Sequence, residues 1–141
     1  MSRAAEVRAA VLALVRVQGV EAVFDGVPIA DNPVHPAVVL RGEAENRDRV
    51  THGSKFIVAT KFDFMIGTRS ADQGAAVQIV HDIFDRIEIA VGADPLLGLG
   101  PEFMASAYIT DKVSDHGEEL AGAAFVQFTL EVTYRRPVGT P

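Results

Sequence analysis

The sequence predicts an α+β domain in which two helices pack on one face of a mixed, mostly antiparallel sheet of about five strands. In residues 122–136 apolar and polar side chains alternate, which is typical of a half-buried strand. In residues 71–88 apolar side chains recur at helical spacing instead. The order α-β-β-β-α-β-β along the chain then favours helices gathered on one side of a sheet.

Length and composition limit the class of protein. The 141 residues fit a single domain, 1–141, with residues 136–141 expected as a flexible tail. A net charge of -6 disfavours specific nucleic-acid binding, which normally uses a basic surface. Without cysteine the chain can form neither a disulfide nor a thiolate metal site. The N-terminal residues lack the apolar core of a signal peptide, and no membrane span is predicted.

The first half of the chain is predicted to begin with a helix. Ser2 can cap it, Val7 and Val11 lie on its apolar stripe, and Gly19 can terminate it after residue 18. Short strands are expected at residues 20–24 and 37–40. The polar residues 41–55 are expected to form a long loop or hairpin tip.

The second half is predicted to start with a long alternating strand, residues 56–66. Ser70 and Gln73 have the spacing of a capping box, which would open a helix that runs to about residue 88. A Gly- and Pro-rich connector at 93–101, a strand at 103–110, an acidic loop at 111–121 and a closing strand at 124–134 complete the prediction.

Candidate catalytic residues do not form a recognisable motif. The four histidines are scattered, and His81 with Asp85 is better explained as an exposed pair on a helix than as a catalytic dyad. No serine lies in a G-x-S-x-G context, and Gly98 and Gly100 belong to no phosphate-binding loop. We therefore expect a protein that is not an enzyme and needs no cofactor.

Two further features leave alternatives open. The first is a group of carboxylates that could hold a hard cation: Asp111, Asp115, Glu118 and Glu119. Their spacing matches no metal motif, so a solvated loop without metal is the preferred interpretation. The phenylalanines of residues 56–64 are expected to pack under the second helix. A ligand-binding cleft between that helix and the sheet is the alternative.

The layout of the chain resembles the tail terminator, or tail completion, proteins of long-tailed bacteriophages and prophages. The resemblance rests on the N-terminal helix 4–17, the segment 23–29 that leads into 36–40, the long strand 55–66, the helix 71–88 and the final strand ending 128–134. It covers nearly the whole chain.

This resemblance implies a structural virion protein without catalytic residues. Such proteins form a homo-oligomeric ring, usually a hexamer, at the head-proximal end of the tail. The ring ends polymerisation of the tail tube and contacts the head connector, or neck, protein. The implied location is the virion, after assembly in the host cytoplasm, with DNA passing through the lumen without specific binding. The alternatives are another neck or tail-tube component, or a small ligand-binding or enzymatic α+β domain.

Two candidate assembly surfaces follow from this interpretation. The first pairs opposite charges: Arg47 and Arg49 in residues 43–55, against Asp115, Glu118 and Glu119 in residues 111–119. The second is the polar face of the closing strand. Its residues are Gln127, Thr129, Glu131, Thr133 and Arg135.

Overall fold

A computed structural model describes residues 2–25, 36–49, 55–70, 72–94, 97–103, 105–115 and 122–137. The elements follow the predicted order, with a short 3-10 turn added between the second helix and the fourth strand. They are α1 (Arg3–Leu14), β1 (Ala22–Asp25), β2 (Ala37–Arg49), β3 (Lys55–Arg69), α2 (Gln73–Ala93), the 3-10 turn Pro101–Phe103, β4 (Ser106–Asp115) and β5 (Ala123–Pro137).

The five strands form one mixed sheet in the order β1-β2-β3-β5-β4. β1 pairs with β2 in parallel, and the other three pairings are antiparallel. β5 lies between β3 and β4, so the last strand of the chain closes the sheet from its interior. The predicted α+β class, with a mostly antiparallel sheet and two helices, is confirmed.

Both helices pack on the same face of this sheet, which we call the helix face. Alternate residues of β3 and β5 point to it, and α2 buries its own apolar stripe against them. At the centre the Phe128 ring stacks on Phe64 at 5.3 Å between centroids and meets the edge of Phe84 at 5.5 Å. These phenylalanines therefore pack under α2, as expected from the sequence.

The helix termini differ from the prediction by a few residues. Ser2 caps α1 by accepting a hydrogen bond from the Ala5 amide (3.1 Å), as expected, but the helix ends at Leu14. Gly19, with φ +98°, belongs to a separate turn. At α2 the cap is Asp72, whose carboxylate accepts from the Gly74 amide at 2.9 Å. This helix continues to Ala93, five residues beyond the predicted end.

The largest error concerns residues 41–49, which were expected to lie in a loop. They continue β2, and the β2–β3 ladder runs from Ala37↔Gly67 to Arg49↔Phe56. Hydrogen bonds to β3 stabilise this polar half-strand, so it needs no apolar face. Likewise, residues 111–115 belong to β4 and not to a loop, whereas 116–121 lie outside the described residues.

The ends of β5 also differ from the prediction. Arg136, expected in a flexible tail, is buried within the strand, while residues 138–141 lie outside the described part of the chain. Before β5, Gly122 has φ +83°, and a Cβ built there would lie 2.1 Å from the Ser70 carbonyl oxygen. Only glycine fits this close approach without a shift of the backbone.

Candidate assembly surface

The opposite side of the sheet, which we call the open face, carries no helix among the residues that the structure describes. β5 presents five polar side chains there, all exposed or half-buried. They are the predicted surface residues Gln127, Thr129, Glu131, Thr133 and Arg135. Tyr108 and Val113 of β4 add exposed apolar area on the same face, 44% and 54% exposed. The sheet is therefore closed on one face and offers a mixed surface on the other.

Two β-bulges shape the middle of the open face. One interrupts β2 between Leu40 and Gly42, and the other interrupts β4 between Ile109 and Asp111. Both lie beside the same row of the sheet, because Gly42 pairs with Asp63, Asp63 with Thr129, and Thr129 with Asp111. A groove of about 390 Å³ follows this row. Its lining includes Arg41, Asp63, Asp111, Val113, Gln127 and Thr129.

Asp63 and Asp111 bring two carboxylates to the groove. The Thr129 hydroxyl donates to Asp63 Oδ1 at 2.8 Å, and the Lys112 amide donates to Asp111 Oδ1 at 2.8 Å. Neither carboxylate takes part in the ion pairs found among the described residues. Arg41 also lines the groove, but its guanidinium donates to the sulfur of Met65 (3.7 Å).

Beside the groove, the Tyr108 hydroxyl donates to Glu131 Oε1 at 2.9 Å. This hydrogen bond favours the protonated phenol and raises the pKa of Tyr108 above its ordinary value, with smaller contributions from burial and from the Glu131 charge. The pair orders two side chains that would otherwise be free to move, and so gives this part of the open face a defined shape.

A second cavity of about 290 Å³ lies on the helix face, between the start of α1 and strands β2, β3 and β5. Near it Arg8 of α1 forms ion pairs with Asp25 and Glu43, which tie the helix to β1 and β2. The hydrogen bond from Arg8 lowers the pKa of Asp25 below its ordinary value, against an opposing effect of burial. These contacts hold α1 in place beside the cavity.

The predicted charged surfaces are only partly within the described residues. Arg47 and Arg49 occupy the last rungs of β2, and Asp115 ends β4, but the structure describes only their backbone. Glu118 and Glu119 lie outside the described residues. Their proposed complementarity therefore stays a prediction.

Sequence reasoning missed Asp63 and misplaced Asp111. The alternation of residues 56–66 marks Asp63 only as a residue on the polar side of a strand. The sequence prediction ends the fourth strand at residue 110 and places Asp111 in a loop, although Ser106 and Tyr108 before it already follow the alternation of a strand. No sequence signal marks the bulge that places Asp111 on the open face.

The histidine and metal predictions have simple outcomes. His81 lies next to Lys112, with 3.4 Å between Nδ1 and Nζ, while Lys112 also sits over the Phe84 ring at 4.3 Å. Within the described ranges no three His, Asp or Glu side chains are grouped so that they could hold a metal ion. Neither α1 nor α2 combines the length and apolar character that a membrane span requires.

Comparisons with known proteins give likenesses among solved structures. No protein-family model matches the chain, and no curated protein matches it. Among solved structures, the chain is similar to one described as "Virion of native gene transfer agent (GTA) particle", with a TM-score of 0.47 and 16% identity. The alignment covers 96% of this chain and 92% of that chain.

Proposed function

We propose that this chain is a structural virion protein of a long-tailed phage or prophage, which forms a ring at the head-proximal end of the tail. In this role the ring ends polymerisation of the tail tube and joins the tail to the head connector. The sequence resemblance supports the assignment, and the order of elements on which that resemblance rests is the order found in the structure.

The observation that carries the assembly role is the open face. A sheet that is covered on one side by helices and exposes a grooved, mixed surface on the other has an area suited to contact with protein partners. Cyclic assembly requires two different complementary patches on each subunit, because each subunit meets two neighbours through heterologous contacts. In this proposal the open face is one such patch and the end of the β2–β3 pair, at Arg49 and Phe56, is the other.

The proposed ring is a homohexamer that acts without a catalytic step or a cofactor. Its partners are the tail-tube subunit on one side and the connector on the other. The acidic balance of the chain, -6 at neutral pH, disfavours adhesion of DNA as it passes through the lumen.

Native mass spectrometry and negative-stain imaging of the purified protein test the proposal. We expect a single ring, or a closed pair of rings, and shorter tubes when the protein is added to polymerising tail-tube subunits. A long tube formed by this protein alone would instead identify a tube subunit. A monomer at all concentrations would refute ring formation.

A matched pair of variants links assembly to the open face. Gln127→Arg places a bulky cation on the open face, whereas Gln78→Arg makes the same change on the exposed side of α2. We expect Gln127→Arg to reduce ring formation and Gln78→Arg to leave it unchanged. Equal effects of the two variants would exclude the open face as the assembly surface.

A further inference from the structure

The groove on the open face lies apart from the core, which packs on the helix face. Arg41 lines the groove, but among the described residues neither Asp63 nor Asp111 takes part in an ion pair. We propose that this groove binds the basic end of the β2–β3 hairpin of a second copy of the chain, with Asp63 and Asp111 as the counter-charges. The inference rests on the proposed self-assembly and identifies the contact that would drive it.

The acceptor side of this contact is defined by the two bulges. On β4, the bulge turns Asp111 to the open face, where it is exposed beside Thr129. On β2, the bulge sets Gly42 opposite Asp63, and a Cβ at Gly42 would meet only Asp63 Oδ2, at 3.7 Å. The lack of a side chain at this position leaves room for an incoming group between the strands.

The donor side is the end of the hairpin. Residues 47–55 contain Arg47, Arg49 and Lys55 against a single carboxylate, Asp48, so this end of the hairpin is basic. The backbones of Arg49 and Lys55 occupy the last described rungs of β2 and β3. Arginine suits this contact because its planar guanidinium can engage carboxylates through two parallel hydrogen bonds.

The geometry requires the contact to be intermolecular. The groove row at Gly42 and the rung at Arg49 are seven residues apart on β2, which corresponds to about 23 Å along an extended strand. A chain therefore cannot fold its own hairpin end into its own groove. Two separated, complementary patches on one subunit form the heterologous contact that closes a ring.

Site-specific cross-linking tests this contact directly, because the natural chain has no cysteine. Val113→Cys places a thiol in the groove. Thr51→Cys places a thiol in the segment that connects β2 to β3 in the sequence. Neither substitution removes a charge. When the two single variants are mixed and oxidised, we expect a disulfide-linked heterodimer. The control uses the variant Ile89→Cys instead of Val113→Cys, because Ile89 of α2 is also exposed (71%). When Ile89→Cys is mixed with Thr51→Cys and oxidised, we expect little disulfide-linked product.

Charge variants test the chemistry of the same contact. Asp63→Asn with Asp111→Asn keeps the oxygens that accept the present hydrogen bonds but removes both charges. We expect about a tenfold rise in the concentration at which half of the protein is assembled. Asp63→Lys with Asp111→Lys should disrupt assembly, and so should Arg47→Glu with Arg49→Glu. In an equimolar mixture of these two charge-reversed proteins, only the contacts between a lysine groove and a glutamate hairpin should form. A variant that carries all four substitutions has both reversed surfaces on each subunit and should form complete rings.

The outcomes separate this inference from the proposed function. Rings that form in the wild type, with equal cross-linking at Val113→Cys and Ile89→Cys, would overturn the groove contact and leave ring formation standing. Rings that persist at unchanged concentration in the Asp→Asn variant would do the same. A wild type that stays monomeric would overturn the proposed function itself.

Discussion

Phe128 is the residue on which we expect the fold to depend most strongly. It is 2% exposed, lies on the interior strand β5 and contacts two aromatic rings, Phe64 from β3 and Phe84 from α2. Phe128→Ala removes the ring that joins the helix layer to the sheet. Truncation of a buried phenylalanine costs about 3–5 kcal/mol. Each aromatic pair contributes about 0.5–1.5 kcal/mol beyond area burial, so the upper part of that range applies.

This loss is large compared with the total stability of a domain, which is about 5–15 kcal/mol. Urea denaturation followed by circular dichroism measures it as a lower midpoint at an unchanged slope. Protein concentration must be held constant, because assembly adds to apparent stability. Ile89→Ala, at a 71% exposed position of α2 away from the groove, serves as the control and should change stability by less than about 0.5 kcal/mol. A loss below about 2 kcal/mol for Phe128→Ala, with the slope unchanged, would refute the reasoning.

Three further predictions follow from single contacts. Gly122→Ala should lower the free energy of unfolding by about 1–3 kcal/mol, measured by the urea midpoint, because its φ of +83° and its close carbonyl neighbour exclude a Cβ; a neutral result would contradict this. Arg8→Met should cost less than about 1 kcal/mol at neutral pH, since its ion pairs are partly exposed. Folding lowers the pKa of Asp25, so the stabilising contribution of its ion pair with Arg8 is fully present above the ordinary pKa of 3.8. Urea titrations should show that this contribution is lost as the pH falls through the lower pKa of the folded state. Glu131→Ala removes the acceptor and should return the pKa of Tyr108 toward 10.0 in an absorbance titration, and the stabilising effect of the wild-type pair should be lost as pH rises through the raised folded value; an unchanged phenolate titration would argue against the hydrogen bond.

The fold could be predicted from the sequence wherever an element buries one face. The helix α2 and the strands β3 and β5 each have an apolar face against the core, so the period of their apolar residues reveals their type. The second half of β2 lacks this signal. Glu43, Glu45 and Asn46 are exposed whichever way they point, and pairing with β3 is what keeps the segment extended. A sequence of this kind resembles a loop until its partner strand is known.

The polar face of β5 could also be predicted, since alternation alone assigns Gln127 and Thr129 to the side away from the core. The groove could not. It depends on one extra residue in each of two strands that are far apart in the sequence, and on the register that brings both bulges to one row. Register is a property of the paired strands, and neither strand carries it alone.

The effect of the bulges becomes clear from the pairings that a regular ladder would give. Without the bulge in β2, Arg41 would occupy the ladder position after Leu40 and would lie opposite Asp63. A cross-strand ion pair would then occupy the middle of the open face. Without the bulge in β4, Thr110 would face Thr129, and Asp111 would turn toward Phe128 on the helix face. The two bulges therefore replace an internal ion pair and a carboxylate on the helix face with two exposed carboxylates beside a glycine. The proposed contact uses this arrangement, because two exposed carboxylates beside a glycine leave room for a cation from a second copy of the chain.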